Sequence, residues 1–247
     1  MVQEKLYNEL ARYYDLFYQG RGKNYKKEAE TIMKKIKEYK KSSGKDLLDV
    51  ACGTGMHIVY FKKHFNCEGL DVNKGMLKIA KKRLPNIKFH EGDMTSFNLN
   101  KKFDVITCLF SSVGYVKTYS NLKKTIKNLS KHLKPGGVLI IEPWFTKKQL
   151  KIGIPFKMIH QDNNNLIIRM SMSKLKKEVL SFEIHFLIAE RNKGIKYFKD
   201  TNKMGVFEID RVLNMMHSCN LKSEFLKKVQ NMRGLYVSIK KQEEKGV

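Results

Sequence analysis

Apolar positions in this chain follow two rhythms, and the change falls near residue 146. From Asp46 onward, short continuous apolar runs alternate with stretches of helical period. The runs DLLDVA, CEGLDV, NIKFHEGD, KFDVITCLFS and GVLIIEPW predict five strands. Between them MHIVYFKKHF, MLKIAKKRL and NLKKTIKNLSKHLK predict helices, the second stopped by Pro85 and the third by Pro135-Gly136-Gly137. Strand and helix alternating at this spacing imply right-handed crossovers and a parallel, doubly wound α/β sheet. After residue 146 the period drops to two. NLIIRMSMSK, EVLSFEIHFLIAE and KGIKYFKDTNKM alternate polar and apolar side chains between Lys- and Asn-rich turns, which predicts a three-stranded antiparallel insertion.

The flanks complete the outline. ELARYYDLFY and YKKEAETIMKKIKEYK read as helices, separated by a glycine break at QGRGKNY. EIDRVLNMMHSCN reads as a helix, and LKSEFLKKV with GLYVSIKK as a terminal hairpin returning to the main sheet. The expected organisation is an N-terminal helical segment (1–42), an α/β core (43–145 and 205–247) and an inserted β layer (146–204).

Composition narrows the function classes. Hydrophobic residues make up 42% of the chain, enough for a real core, yet no apolar run approaches the ~20 residues that span a bilayer. MVQEKLYNEL lacks the apolar stretch and cleavage site of a secretory signal, so the expected compartment is the cytoplasm. The four cysteines, Cys52, Cys67, Cys108 and Cys219, are scattered and read as free thiols, and no spacing suggests a metal site. The net charge of +25 comes from lysine doublets along the whole chain, without interleaved aromatics. That is the pattern of solvated helix faces rather than of a nucleic-acid stripe, although it also suits an anionic small-molecule partner.

The chemistry begins at DLLDVACGTGMHI. A dinucleotide site wants G-x-G-x-x-G, but Gly53-x-Gly55 is followed at the third position by Ile58, so the fingerprint is broken. What remains suits a ligand lying across strand ends without a pyrophosphate. Gly53 and Gly55 let backbone pass close to it. Asp49 ends the first strand, where it anchors the turn or receives an ammonium. Asp71 ends the second, at the place where an acid takes ribose hydroxyls, and Asp93 ends the third. Acids on three successive strand ends line one rim, where open α/β sheets bind ligands.

DVACGTG, then GLD, GDM, FDVITCLFSS and LKPGGVLIIEPW, resembles the class I S-adenosylmethionine-dependent methyltransferases. The resemblance implies a Rossmann-like, mostly parallel seven-stranded sheet and S-adenosyl-L-methionine as cofactor. It implies that Asp71 holds the ribose, that Gly53 and Gly55 lie against the methionine part, and that Asp93 and Met94 flank the adenine. Further cofactor contacts are implied for Ala51, Val72, Met76 and Leu109. YYDLFYQGRGKNY, FSSVGYVKT, EPW, FEIHFL and MRGLYVSI are similar, more narrowly, to the desosamine-type dTDP-amino-sugar N,N-dimethyltransferases. This implies Tyr14 beside the methyl donor, Tyr25 near cofactor and substrate, and Ser111, Ser112 and Tyr115 in the loop after the fourth strand. It further implies His185 on the inserted sheet and Arg233 near carrier phosphates. Trp144-Phe145 stands where that family has paired tryptophans.

Methyl transfer is an in-line displacement, so such a protein positions, desolvates and keeps its nucleophile neutral. Tyr14 and Tyr115 are candidates to orient an amine, and His185 is the one of the three that titrates near neutrality. Lys23 and Arg233 are the basic residues expected on an anionic substrate, with Trp144 beside them. The expected function is N-methylation of a small-molecule amine such as a nucleotide-linked amino sugar, and the resemblance further implies a homodimer through the inserted sheet. Methylation of RNA or protein, and cofactor binding without catalysis, stand as alternatives.

Overall fold

The computed structural model describes residue 7 and residues 10–20, 22–229 and 232–242. Glu9, where the first helix is expected to open, the stretch read for a secretory signal apart from Tyr7 and Leu10, Arg21 of the glycine break, and Gln230-Asn231 lie outside them. Helix α1 (Ala11–Gln19) and helix α2 (Tyr25–Tyr39) precede the sheet. Asn24 caps α2 by accepting from the Lys27 amide at 3.0 Å.

The core order is β1 (Asp46–Val50), α3 (Ile58–Phe61), β2 (Asn66–Asp71), α4 (Lys74–Arg83), β3 (Lys88–Glu91), β4 (Phe103–Cys108), α5 (Tyr119–Lys131) and β5 (Leu133–Ile141). The insert follows as β6 (Phe156–Gln161), β7 (Asn165–Lys176), β8 (Val179–Glu190) and β9 (Gly194–Gly205). Helix α6 (Ile209–His217), β10 (Leu221–Leu226) and β11 (Leu235–Lys240) close the chain. Asn73 and Thr118 cap α4 and α5 through their side chains, so both helices start where a short polar residue can take an orphan amide.

The main sheet has seven strands in the order β10-β11-β5-β4-β1-β2-β3, parallel except where β11 runs against its neighbours β10 and β5. Helices α2, α3 and α4 cover one face and α5 and α6 the other. Leu48 and Ile106 are wholly buried in the two central strands. Each such side chain contributes about 1.5–3 kcal/mol of burial free energy.

Three local expectations need correction. The insertion has four strands, in the order β6-β7-β8-β9, not three. β6 is an edge strand with Met158 as its one buried residue, so FKMIHQ carries little apolar period. The predicted helix MHIVYFKKHF shrinks to α3, one turn, with turns on both sides of it at residues 56–57 and 62–64. Pro135-Gly136-Gly137 does not end a helix directly but lies inside β5. Register jumps from Phe103↔Leu133 to Val105↔Val138, so these residues form a bulge, where a proline costs no ladder bond. Gly136 takes φ +72°, and its carbonyl accepts the amides of Lys41 and Ser42, tying the segment after α2 to the sheet.

The four-stranded sheet is covered on one face. Leu10, Tyr13 and Phe17 pack on Met158, Ile167, Ile184, Phe186 and Ile188. Along β8 the buried residues are Leu180, Ile184, Phe186 and Ile188, so the intervening positions point away.

Candidate functional site

The turn after β1 is held by side chain and backbone together. Ala51, Gly53 and Gly55 all take positive φ, at 55°, 55° and 77°. The Gly53 amide donates to Asp71 Oδ2 at 2.8 Å and the Asn73 amide to Oδ1 at 2.8 Å. Burial raises the Asp71 pKa, and these amides oppose it. A carboxylate has about four lone-pair sites, so these amides and that of Val72 still leave acceptor capacity for a ligand. A Cβ built on Gly53 would meet nothing within 4 Å, so the space above the turn is open. Val72, 61% exposed next to that carboxylate, is an apolar surface facing solvent at the rim.

The other two acids behave differently. Asp49 lies inside β1, 2% exposed, accepting from the Thr107 hydroxyl at 2.7 Å. Burial pushes its pKa up to about 6. Asp93 is exposed two residues beyond β3, and its carboxylate closes a turn by accepting from the Thr95 amide and hydroxyl, both at 2.8 Å. Met94 next to it packs on the core. Leu109 and Met76 are buried beneath the rim, at 3% and 1% exposure.

A run of rings leads from Tyr115 to Phe110. Tyr7 meets Tyr115 edge-on with their hydroxyls in contact, and lies 5.9 Å from Tyr14. Tyr14 lies 4.7 Å from Tyr18, and Tyr18 4.9 Å from Phe110. Burial holds the Tyr14 phenol well above its ordinary pKa, so it stays protonated. Two cations flank Phe110: Lys23 Nζ lies 3.6 Å from the ring centre and the Arg233 guanidinium 5.9 Å. Arg233 lies 4.8 Å from both Trp144 and Phe145, and Trp144 reaches Phe182 on the inner face of β8.

Each cation has an internal carboxylate. Lys23 bonds Glu28 at 2.7 Å, and Glu28 also meets His57 Nε2 at 2.9 Å beneath Tyr25. Burial lowers the Lys23 pKa despite that partner. For Glu28 burial acts upward, but the bond to His57 and the Lys23 charge outweigh it and hold the carboxyl low. Arg233 Nη1 lies 3.5 Å from Glu142 and donates to Ser111 Oγ at 3.2 Å. Ser111 in turn donates to the Pro143 carbonyl at 2.8 Å, while Ser112 opens the short 3-10 turn that carries Tyr115.

Glu142 is the residue that sequence reasoning passed over. It is 3% exposed, and its Oε2 accepts from the Phe110 amide at 2.7 Å. Phe110 and Ser111 are consecutive left-handed residues, φ +53° and +62°, a conformation costing on the order of 1–3 kcal/mol each. Burial raises the Glu142 pKa, and Arg233 and Lys23 oppose it. The signal was available: an acid ending the wholly apolar run VLII. Asp15 was also missed, although it sits in the quoted Tyr-Asp pair.

The structure therefore joins Tyr14, Tyr25, Tyr115, Lys23, Ser111, Trp144 and Arg233 in one contiguous wall. It does not bring His185 there. His185 bonds Glu183 at 3.0 Å and Tyr197 at 2.6 Å on the outer face of the insert. Its neighbours Ile184 and Phe186 point inward to α1, and the two-residue period of a strand sends His185 the other way. Among the described residues no group of three His, Cys, Asp or Glu side chains is placed to hold a metal. No described helix is long and apolar enough to cross a membrane. The four cysteines are free.

Comparison with known proteins bears on the same region. A family profile described as a methyltransferase domain matches residues 47–137. The dTDP-3-amino-3,4,6-trideoxy-alpha-D-glucopyranose N,N-dimethyltransferase of Streptomyces venezuelae is 36% identical over 227 residues, covering 92% of this chain and 95% of that one. The crystal structure of Streptomyces venezuelae DesVI is 35% identical and superposes with a TM-score of 0.88 over 93% of this chain and 98% of that one. CalS10 of Micromonospora echinaspora, an amino pentose methyltransferase of calicheamicin biosynthesis solved with S-adenosylmethionine bound, is 31% identical. It has a TM-score of 0.83 over 92% of this chain and 96% of that one.

Proposed function

This chain belongs to the family of the dTDP-amino-sugar N,N-dimethyltransferases and is an S-adenosylmethionine-dependent methyltransferase, and from that premise we propose that it N-methylates the amine of a nucleotide-linked amino sugar. The observation that carries the reading is the line of ring contacts from Tyr115 through Tyr7, Tyr14 and Tyr18 to Phe110, which the Arg233 guanidinium extends to Trp144 and Phe145. Asp15, next to Tyr14, joins that line to the glycine turn through the Thr54 hydroxyl.

S-Adenosylmethionine supplies, when bound, a methyl group already activated on a sulfonium. The residues that would hold it fit. Open space lies over Gly53, Asp71 keeps acceptor capacity for hydroxyls, and Val72 offers an apolar platform. Ala51, Leu109, Met76 and Met94 shape the floor and edge, and Asp93 closes the rim. Asp49 below carries a negative charge above about pH 6, suited to an ammonium.

The rest of the wall acts on the amine. Tyr14 and Tyr115 present phenol hydroxyls that orient it, and the rings exclude water and turn π faces toward cationic groups. Tyr25 closes the wall over His57. Arg233, 22% exposed at its side chain, offers its remaining donors to carrier phosphates. Lys23, 7% exposed and held by both oxygens of Glu28, backs the wall rather than reaching far into it. The layer 146–204 covers the acceptor over the core formed by 43–145 and 205–247, with α1 of the N-terminal segment packed on the inserted sheet and α2 on the core.

Two copies pair through the outer face of the four-stranded sheet in this reading. Ile159, Met170, Leu187, Ile195 and Tyr197 are 39–75% exposed there, an apolar face rimmed by lysines. Four free thiols suit a cytoplasmic enzyme.

Calorimetric titration with S-adenosylhomocysteine, with and without dTDP, tests the reading. Separate saturable sites for both support it, and cofactor binding with no dTDP binding discards the nucleotide carrier. Light scattering should give a dimer that Leu187→Glu splits; a monomeric wild type removes the pairing.

A further inference from the structure

Helix α1 is attached to its two neighbours by different chemistry. Toward the insert it uses mainly apolar contacts from Tyr13 and Phe17, which are strong but non-directional; its polar link there, from Arg12 and Tyr13 to Glu190, is the looser one, with Arg12 54% exposed and 3.3 Å from the carboxylate. Toward the cofactor turn it uses one carboxylate. Asp15 Oδ1 accepts from the Thr54 hydroxyl at 2.8 Å, and Oδ2 pairs with Arg83 Nη2 at 2.5 Å. Arg83 Nη1 closes the ring by donating to the Thr54 carbonyl. Thr54 is the residue between Gly53 and Gly55 and is 2% exposed. Arg83 is the last residue of α4, the helix that starts just beyond Asp71. One three-membered network thus ties α1, the glycine turn and α4 together. The Asp15 and Arg83 side chains are 14% and 28% exposed, so their bond is shielded from full solvent screening.

We propose that Asp15 is a positioning residue for methyl transfer: through Thr54 and Arg83 it fixes α1, and with it the adjoining Tyr14, over the donor turn. Charge-assisted bonds have direction, so they set the register that apolar packing leaves open. A ligand that orders the turn strengthens the network, and by linkage the network strengthens the ligand. The inference rests on reading the Gly53–Gly55 turn as the donor site.

The test uses the full chain and measures S-adenosylhomocysteine and dTDP affinity by calorimetry, together with kcat and KM. Asp15→Ala should weaken S-adenosylhomocysteine binding about 10-fold and raise the S-adenosylmethionine KM in step, with dTDP affinity within about twofold. Asp15→Asn keeps an acceptor for Thr54 but loses the charge, so it should fall between, and it serves if the alanine variant does not fold. Asp15→Ala/Arg83→Ala should cost no more than Asp15→Ala alone, because one network is lost once. Unchanged S-adenosylhomocysteine affinity, additive losses, or equal losses for dTDP would overturn the proposal. Asp71→Ala is the control. If it leaves S-adenosylhomocysteine binding intact, the donor-site reading fails; if it weakens binding while the Asp15 variants do not, this inference alone fails.

Discussion

The two sheets of this molecule bury their strands in different ways. In β4 all six residues are buried, whereas in β8 burial alternates along the strand. A parallel strand covered on both faces has no free side, so its chemistry is pushed to its tip. At the strand tips the turn of residues 51–55 and the Asp71 carboxylate form the rim proposed to hold the donor. An antiparallel strand covered on one face has two fates for its side chains. Phe182 reaches Trp144 and the aromatic wall, while His185 three residues on faces outward. Position along the strand decides function in the first sheet, and facing decides it in the second.

Burial of charge is where the comparison breaks most sharply. Asp49 is enclosed in the main sheet, and its pKa is raised from 3.8 to about 6. The folded state then binds the proton more tightly than the unfolded chain, so stability falls as pH rises from about 4 to about 6 and stays lower above. The ionised group costs about 3 kcal/mol at neutral pH. Asp49→Asn should therefore stabilise the protein by that order at pH 7.5 and hardly at all at pH 4, as read from denaturant midpoints. Its S-adenosylhomocysteine affinity should drop at the same time. Stability without gain at pH 7.5 would mean that the carboxylate is not paid for in folding free energy.

Arg233 sharpens the contrast at the acceptor side. Arg233→Ala should weaken dTDP binding about 10-fold, close to 1.4 kcal/mol, and leave S-adenosylhomocysteine within about twofold. The loss should shrink as salt is raised, because the side chain is not deeply buried. Equal losses for both ligands would erase the division between donor and acceptor sides.

The smallest effect belongs to His185. His185→Ala should leave kcat and the amine KM within about twofold, since the side chain lies across the sheet from the wall, and any change should show in light scattering instead. A 100-fold fall in kcat would reverse the facing of β8.

Much was legible in local pattern. The alternation of apolar runs and helical stretches placed the five parallel strands of the main sheet, and the terminal hairpin its last two, since each signal is local to its own stretch of chain. Gly53, Gly55 and Asp71 could be read because a left-handed turn and a strand-end acid are short-range requirements. Asp93 could be read as a rim acid, but its bonds to Thr95 make it a turn residue as well. Edge strand β6 was missed because exposure on nearly every side removes the two-residue signal.

Other features depended on contacts far apart in the chain. Glu142 supports Phe110 across 32 residues and Asp15 reaches Arg83 across 68, so neither pairing leaves a trace in local periodicity. Local pattern set which residues form strands, which turns need glycine and which acids stand at strand ends, because those follow from nearest-neighbour sterics and burial period. Which face of the insert turns inward, which carboxylate answers which cation, and how α1 meets the glycine turn came from packing, because long-range contacts choose among partners that the sequence lists without pairing.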